Sequence, residues 1–434
     1  MKRNRFNKMS YIILLITAQI LWSIPQTKAQ TTLDECQRLA EQNYPLIRDY
    51  GLIEKSTNYS LSNVSRTWLP QLSLSMQATY QSDVATFPAE LLKVYSSMGL
   101  NMKGLDKDQY RAALELTQTI WDGGSSIAAK RTTEAGSAVE RASTAVTMYG
   151  IRNRVNSLFF GALLAEAQAK QNQLRQELLQ SNLLRIRSCI SNGVAMQYNA
   201  DAIEAELLAA HQQHTRIEAS LESYLAMLSL FSGKKITQIA TPCDSTVDLS
   251  DNQRPELDYM RRLEEQYTAQ AESVRASVRP NIGLSFQGFY GNPGLNLFKD
   301  MAENHFTWNY LAGIKIQWRF GSYYTKHNRL QMIELARNRV NVQRETFLFN
   351  TRLQTTQGEN TVKSLRRELA DDNRIISLRE SVRRAYESKL GNGVAEATDL
   401  LREITSESDA RMNQERHKIE LLKAIYDLKY MVNR

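Results

Sequence analysis

The chain has 434 residues, 54 of them Lys or Arg and 46 Asp or Glu, for a formal charge of +8. Five of the basic residues (Lys2, Arg3, Arg5, Lys8, Lys28) and no acidic ones lie in the first 29 positions, so loss of that segment takes +8 to +3. So small a charge on so long a chain excludes nucleic-acid binding, which needs a dense basic face.

The N-terminus is basic from Met1 to Arg5, apolar from Tyr11 to Trp22 and small-residued at Thr27-Lys28-Ala29. This order predicts a cleavable signal peptide over residues 1–29. The apolar run is shorter than the roughly 20 residues of a retained membrane helix and is interrupted by Thr17 and Gln19. No Cys sits at the junction to carry a lipid. Cys36, Cys189 and Cys243 are an odd number whose spacing suits neither a disulfide framework nor a zinc site, so they are read as packing residues. Nothing later resembles a transmembrane helix, and mean hydropathy is −0.44. If the mature chain enters a membrane, it does so as a β-barrel.

The first repeat is assigned to residues 30–235. A helical segment, Leu33 to Trp68, ends before Pro70. Two strands follow, at about 70–81 and 109–121. In the first, Leu72, Leu74, Met76, Ala78 and Tyr80 alternate with Gln71, Ser73, Ser75, Gln77 and Thr79; in the second, Tyr110, Ala112, Leu114, Leu116 and Ile120 stand against Arg111, Glu115, Thr117 and Thr119. Period two gives each strand one apolar and one polar face. A helix from Ser125 to Ile190 then runs without proline, and the one beginning at Tyr323 does the same to Leu390. At ~1.5 Å per residue each rises on the order of 100 Å, far more than a globular core needs. Met148, Ile151, Val155, Leu158, Ala162, Ala165 and Ala169 step by 3 and 4, a coiled-coil seam. A turn near Gly193 and a return helix from Asn199 to Leu230 complete the repeat. Residues 236–253 read as an inter-repeat loop or small side element.

The second repeat, residues 254–434, restates this order. A helix from Pro255 to Arg279 precedes strands at about 281–291 and 307–320, the long helix, a turn near Gly393 and a return helix from Asp399 to Met431. The duplication is visible in the letters. Pro45 and Pro70 are 25 apart, as are Pro255 and Pro280; Pro70-Gln-Leu-Ser-Leu-Ser-Met-Gln-Ala-Thr-Tyr80 matches Pro280-Asn-Ile-Gly-Leu-Ser-Phe-Gln-Gly-Phe-Tyr290; and Asn192-Gly-Val-Ala195 recurs as Asn392-Gly-Val-Ala395. Strands near the ~9–11 residues that cross a bilayer, aromatics near their ends and an export signal favour membrane strands over a soluble sandwich. The positions expected to face lipid are Leu72, Leu74, Met76, Leu114, Leu116, Leu284, Phe286, Ile314 and Ile316. Four strands cannot close a barrel, whose smallest membrane forms have roughly eight. The barrel is therefore shared between subunits, and arithmetic alone permits a dimer, a trimer or a larger ring.

No site for chemistry emerges. Ser232-Gly-Lys-Lys235 lacks the leading Gly and the hydroxyl of a phosphate loop. His211 and His214 lie three apart with no third ligand at metal-binding spacing and read as a solvated helix face. His305, His327 and His417 are scattered. No catalytic residue, metal or cofactor is expected.

Helix, strand pair, long helix, Gly turn and return helix, all twice behind a signal peptide, resemble the TolC-like outer membrane factors. Leu33-Asp-Glu-Cys-Gln-Arg-Leu-Ala-Glu-Gln-Asn-Tyr-Pro45 looks like the family's opening helix, and Trp121-Asp-Gly-Gly124 like its Phe-Asp-Gly-Gly strand exit, shortened to Phe320-Gly321 in the second copy. Gly193 to Ala202 and Gly393 to Leu401 resemble its helix-tip turns. The resemblance implies a mainly α protein with a membrane β part. It implies a homotrimer with one twelve-stranded barrel in outer-membrane lipid and a periplasmic helical tunnel. Its function would be that of a passive exit duct of a tripartite efflux or type I secretion system in a Gram-negative outer membrane, loaded by a periplasmic adaptor and an inner-membrane transporter. The adaptor would meet Gly193, Val194, Ala195, Gly393, Val394 and Ala395, while Asp399, Arg402, Asn199 and Asp201 are candidates to line the tip. The chain departs from the family pattern at several points. Asn199 stands where an Asp is common, with Asp201 two residues on; Arg402 replaces a second acid; and Ile190 and Leu390 replace an aromatic. A periplasmic coiled-coil structural or adaptor protein is the alternative, and it would explain the helices alone.

Overall fold

A computed structural model describes residues 30–433 except 101, 194, 245–247, 250 and 393. The expected signal peptide, Val194 and Gly393 therefore lie outside the described residues. The expected order of elements is present, with two additions. Helix α1 (Leu33–Asn43) and a 3₁₀ turn (Pro45–Arg48) lead to α2 (Asp49–Arg66) and β1 (Gln71–Tyr80). After α3 (Ala89–Ser97) come β2 (Asp108–Trp121), α4 (Ser125–Ser191) and α5 (Gln197–Ser232). The second half is α6 (Pro255–Ala276), β3 (Asn281–Asn292), α7 (Leu297–Glu303), β4 (Thr307–Gln317), α8 (Ser322–Gly391) and α9 (Ala397–Val432).

Two expectations need correction. The helix read from Leu33 to Trp68 is two helices, because Tyr44 before Pro45 takes an extended backbone (φ −64°, ψ 131°). The fourth strand stops at Gln317 and not at 320, where Trp318 turns its indole Nε1 to the carbonyl of Val278 at 3.0 Å. Short helices α3 and α7, too brief to leave a clear period, lie in the loops between paired strands.

The chain forms two compact units that do not coincide with the two repeats, since each draws on both. One contains residues 30–47, 146–254 and from 348 onward. Here α4 presents Met148, Ile151, Val155, Ala162 and Ala165 as buried residues, with Leu158 and Ala169 half-buried. The seam also carries Phe159 and Phe160, and Phe160 meets Tyr426 of α9 at 5.7 Å. The inter-repeat segment is anchored to the start of the described chain: Thr31 N donates to Gln238 O (3.1 Å) and Ala240 N to Thr31 O (3.0 Å), while Ile236 and Ile239 are buried. The three cysteines are free thiols. Burial, reinforced by Glu35, pushes the Cys36 thiol up to about 12, so it packs as a neutral hydrophobe.

The other unit, residues 48–145 and 255–347, holds a fully antiparallel sheet in the order β1-β2-β3-β4. Each half supplies one hairpin, and β2 pairs with β3 across the repeat boundary. The exit from β2 explains Trp121-Asp-Gly-Gly124. Gly123 and Gly124 have φ of +70° and +88°, and a Cβ on Gly123 would lie 2.6 Å from Arg279 Cβ. Both positions need glycine. The turn lets the Asp122 carboxylate accept hydrogen bonds from Gly124 N (2.9 Å), Ser126 N (2.6 Å) and the Ser126 hydroxyl, capping the first turn of α4. Burial works to raise the pKa of Asp122, but the bonds from Ser126 and Gly124 outweigh it and hold the carboxyl below its ordinary value.

A depressed folded pKa means that the ionised form favours the folded chain. That contribution is complete at neutral pH, fades as pH falls below the unfolded value of about 3.9, and is lost below the folded one. We expect Asp122→Ala to cost about 0.5–2 kcal/mol at pH 7. The penalty should shrink at acidic pH in urea titrations of the detergent-solubilised protein. An equal penalty at both pH values would show that the charge is not what caps α4.

Candidate functional site

The sheet is apolar on the side that a soluble protein would hide. Register puts Leu72, Leu116, Phe286 and Ala312 in one row and Leu74, Leu114, Gly288 and Tyr310 in the next. Met76, Ala112, Tyr290 and Trp308 form a third row, and Leu284 pairs with Ile314 and Ile282 with Ile316. All nine side chains expected on the apolar face are exposed, Ile314 at 71% and Leu116, the least, at 37%. The opposite face carries Ser73, Glu115 and Gln287 in one row and Gln77 and Arg111 in another. On the two central strands this polar face is the sheltered one. Phe289 is only 2% exposed beneath Arg111, whose guanidinium lies 3.8 Å above the ring and donates to Gln287 Oε1 at 2.8 Å.

Aromatic rings cluster at both ends of the apolar face. Tyr290 contacts Trp308 (5.0 Å) and Phe306 (5.5 Å) at one end, and Trp318 contacts Phe320 (4.7 Å) at the other. An apolar band between aromatic girdles is the pattern of a membrane barrel wall. No described helix is long and apolar enough to cross a membrane.

The helix tips lie in the unit that holds α5 and α9. Gly193 turns the chain at φ +75° with open space around it, Ala195 and Ala395 are half-buried, and Val394 is exposed. The tips of both hairpins share one core: Leu179, Leu183 and Ile186 of α4, Ala200 and Ile203 of α5, and Leu390, Ala397, Leu400 and Ile404 from the second hairpin. Asn199 belongs to this buried surface. It is 7% exposed with its Oδ1 unpartnered, so it leaves the pore-lining set, because a residue on the packed side of α5 cannot face an aqueous channel. Asp201 is exposed and accepts from Gln197 Nε2 at 2.8 Å.

Asp399 is half-exposed in the first turn of α9, and its Oδ1 meets Arg402 Nη2 at 3.4 Å. The N-cap position belongs to Glu396, so Asp399 does not cap the helix itself. Arg402 also reaches Glu403 (3.6 Å).

Sequence reasoning missed the ion pairs between α8 and α9. Arg383, whose side chain is 11% exposed, bonds Glu387 (2.5 Å) and Glu407; Glu407 also holds Arg411 (2.8 Å), which reaches Glu380 (3.3 Å). Burial opposes the charge on Arg383, but the bonds and attraction of Glu407 and Glu387 raise its pKa above the ordinary value. Farther along, His417 Nδ1 lies 2.9 Å from Asp372. The available signal was acids and arginines at spacings of 3 and 4 on both helices, a pattern shared with solvated faces. His214 pairs with Glu218 (3.2 Å), and among the described residues no group of three or more His, Cys, Asp or Glu could hold a metal.

No family model matches the sequence, and no curated protein matches it by sequence. Solved structures match it in fold. The chain is similar to CusC, described in terms of transmembrane channel formation, with TM-score 0.69 at 13% identity over 94% of this chain and 95% of that one. It is similar to the CmeC outer membrane channel of Campylobacter jejuni (TM-score 0.63, 14% identity, 92% and 85% covered). It is also similar to the outer membrane protein VceC of Vibrio cholerae (TM-score 0.63, 14% identity, 91% and 95% covered). The fold is therefore that of the TolC-like outer-membrane channels, long helices with a small four-stranded sheet.

The face assignment predicts unequal effects of a buried charge. Lys at Leu114 or Ile314 should cost about 2–4 kcal/mol near a bilayer midplane, whereas Lys at Thr117, on the polar face, should be tolerated. Folding titrations into liposomes can compare them. Equal losses at the two kinds of site would mean that the faces are misassigned.

Proposed function

We propose that the protein is an outer-membrane exit duct, a passive, non-enzymatic channel in which three copies close one twelve-stranded barrel. The observation that carries this reading is the sheet, whose apolar face is exposed and whose outer strands, β1 and β4, each have a partner on one side only. A lone sheet of this kind would leave backbone groups unpaired in hydrocarbon at several kcal/mol each, and pairing β1 of one copy with β4 of the next removes the deficit. The similarity to solved channels supports the same reading, and twelve strands from three chains satisfy the closure that four cannot.

In this reading the helical hairpins continue the conduit into the periplasm. The turns at Gly193, Val194 and Ala195 and at Gly393, Val394 and Ala395 dock a periplasmic adaptor. An inner-membrane transporter of a tripartite efflux or type I secretion system then loads the duct. Asp399, repeated around the trimer, biases the narrow tip toward cations, since a ring of like charge in a confined aqueous path concentrates counterions. Arg402 partly masks it through the 3.4 Å contact. A periplasmic scaffold would need the helices but has no use for the exposed apolar sheet.

Mass measurement of the detergent-extracted protein should give a trimer, and a stable folded monomer would sink the shared barrel. In planar bilayers Asp399→Asn should weaken cation preference, while Arg402→Ala, by unmasking the carboxylate, should strengthen it. Unchanged selectivity and conductance in both variants of an intact oligomer would leave Asp399 as a local partner of Arg402 and place the gate elsewhere.

A further inference from the structure

The loops beyond β1 and β3, residues 81–107 and 293–306, are built as one platform. Lys103 N donates to Met301 O (3.0 Å), Asn304 Nδ2 to Asp106 Oδ2 (2.5 Å), and the Phe87 ring stacks on Phe298 (6.0 Å) while meeting Tyr95 edge-on (5.4 Å). Asp300, 1% exposed, accepts from Gly294 N (2.7 Å).

The platform is tied to the polar face of the sheet. Leu295 N donates to Asn309 Oδ1 (3.0 Å), and Asn309 Nδ2 donates to Thr307 Oγ1 (2.9 Å). Asn309 pairs with Phe289, in the same row as Ala113 and Ser75, and so belongs to the sheltered parity and not to the apolar one.

On this platform α3 carries two apolar stripes. Leu92 and Tyr95 are half-buried, with Tyr95 against Phe87, whereas Leu91, Val94 and Met98, spaced 3 and 4 apart, are exposed, Met98 at 70%. Phe298, joined to α3 through Phe87, is 69% exposed. A stripe of this kind on an ordered loop is an interaction surface. The last loop residue, Phe306, lies with Tyr290 and Tyr110 on the apolar face, but Leu295 and the platform it belongs to are tied through Asn309 to the polar one, which makes lipid a poor occupant of the α3 stripe.

We infer that Leu91, Val94, Met98 and Phe298 dock against the same residues of the other copies, forming an apolar constriction over the outer mouth of the barrel. The inference rests on the trimeric duct. Closing β1 onto β4 encloses the polar faces, and platforms tied to those faces then converge on one another. Such a constriction excludes water and ions by dewetting until it is displaced.

The test uses the full-length protein in intact cells, with Cys189→Ser and Cys243→Ser removing the accessible thiols. Copper–phenanthroline oxidation of Val94→Cys or Met98→Cys should shift the chain from monomer to covalent dimer on non-reducing gels, and the double variant should reach covalent trimer. Ser96→Cys, on the polar side of α3, should stay monomeric. If native mass measurement finds the trimer intact but neither variant links better than Ser96→Cys, the constriction is overturned and the duct stands. Quenching of a fluorophore on Met98→Cys by brominated lipid would also overturn it, by placing the stripe in the bilayer. A chain that is monomeric in detergent would instead remove the duct reading on which the inference rests.

Discussion

Backbone hydrogen bonding in a medium without water is the constraint on which the rest of the proposed duct depends. Within hydrocarbon every N–H and C=O must find a protein partner, and a sheet does so only by closing. Four strands of 10 to 14 residues are long enough to cross but too few to close. In the proposed ring, each other feature of the sheet follows from its being one arc. On the two central strands the mainly polar face is the sheltered one and large apolar residues take the exposed face, the reverse of a soluble sandwich. The two repeats interlock through β2 and β3, so the arc is a single sheet and not two hairpins. The compact units therefore ignore the repeat boundary: the duplication doubled a whole path, and packing then grouped like segments from both copies.

Much of this was legible in the letters because period two and a proline-free run of helix survive without tertiary information. The strand positions and both long helices fall within a few residues of where alternation and the Gly turns put them. The misses have separate causes. Helix α3 spans nine residues and α7 seven, under three turns each, which is too short for periodicity to separate them from a loop. The division of α1 from α2 was signalled by Pro45, but an otherwise helical composition overrode it. At the tips, position within a motif suggested that Asn199 and Asp399 were equivalent. Burial separates them, because a side chain's direction depends on which neighbour its helix packs against, and one sequence does not supply that neighbour.

The two hairpins differ in how deeply their cross-helix ion pairs are buried. In the first, Leu179, Leu183 and Ile186 pack with Ala200 and Ile203, and the cross-helix pairs Arg175–Glu206 (3.1 Å) and Arg187–Glu204 (2.8 Å) lie toward the surface. In the second, Arg383, Glu387, Glu407, Arg411 and Glu380 form a chain of partly buried ion pairs between α8 and α9. Burying these charges costs several kcal/mol per ion, which their mutual bonds offset only while every partner is in place. A good ionic fit is correspondingly directional, whereas apolar contacts slide with little loss.

That difference sets what each hairpin can do. Helices joined by leucines tolerate small shifts, since the area removed from water changes little as side chains repack. Helices joined by Arg383 and Glu407 have one register, because a slip of one turn would leave a charge facing the wrong neighbour at a cost of about 3–5 kcal/mol. Asp399 and Arg402 sit on the same helix as Glu407, roughly two and one and a half turns toward the tip, and inherit its fixed position. The lock holds the acidic side chain at a defined place along α9, which the proposed charged ring at a narrow tip requires. In the first hairpin Asn199 is buried, and the pairs Arg175–Glu206 and Arg187–Glu204 are more exposed, so they hold the register less firmly.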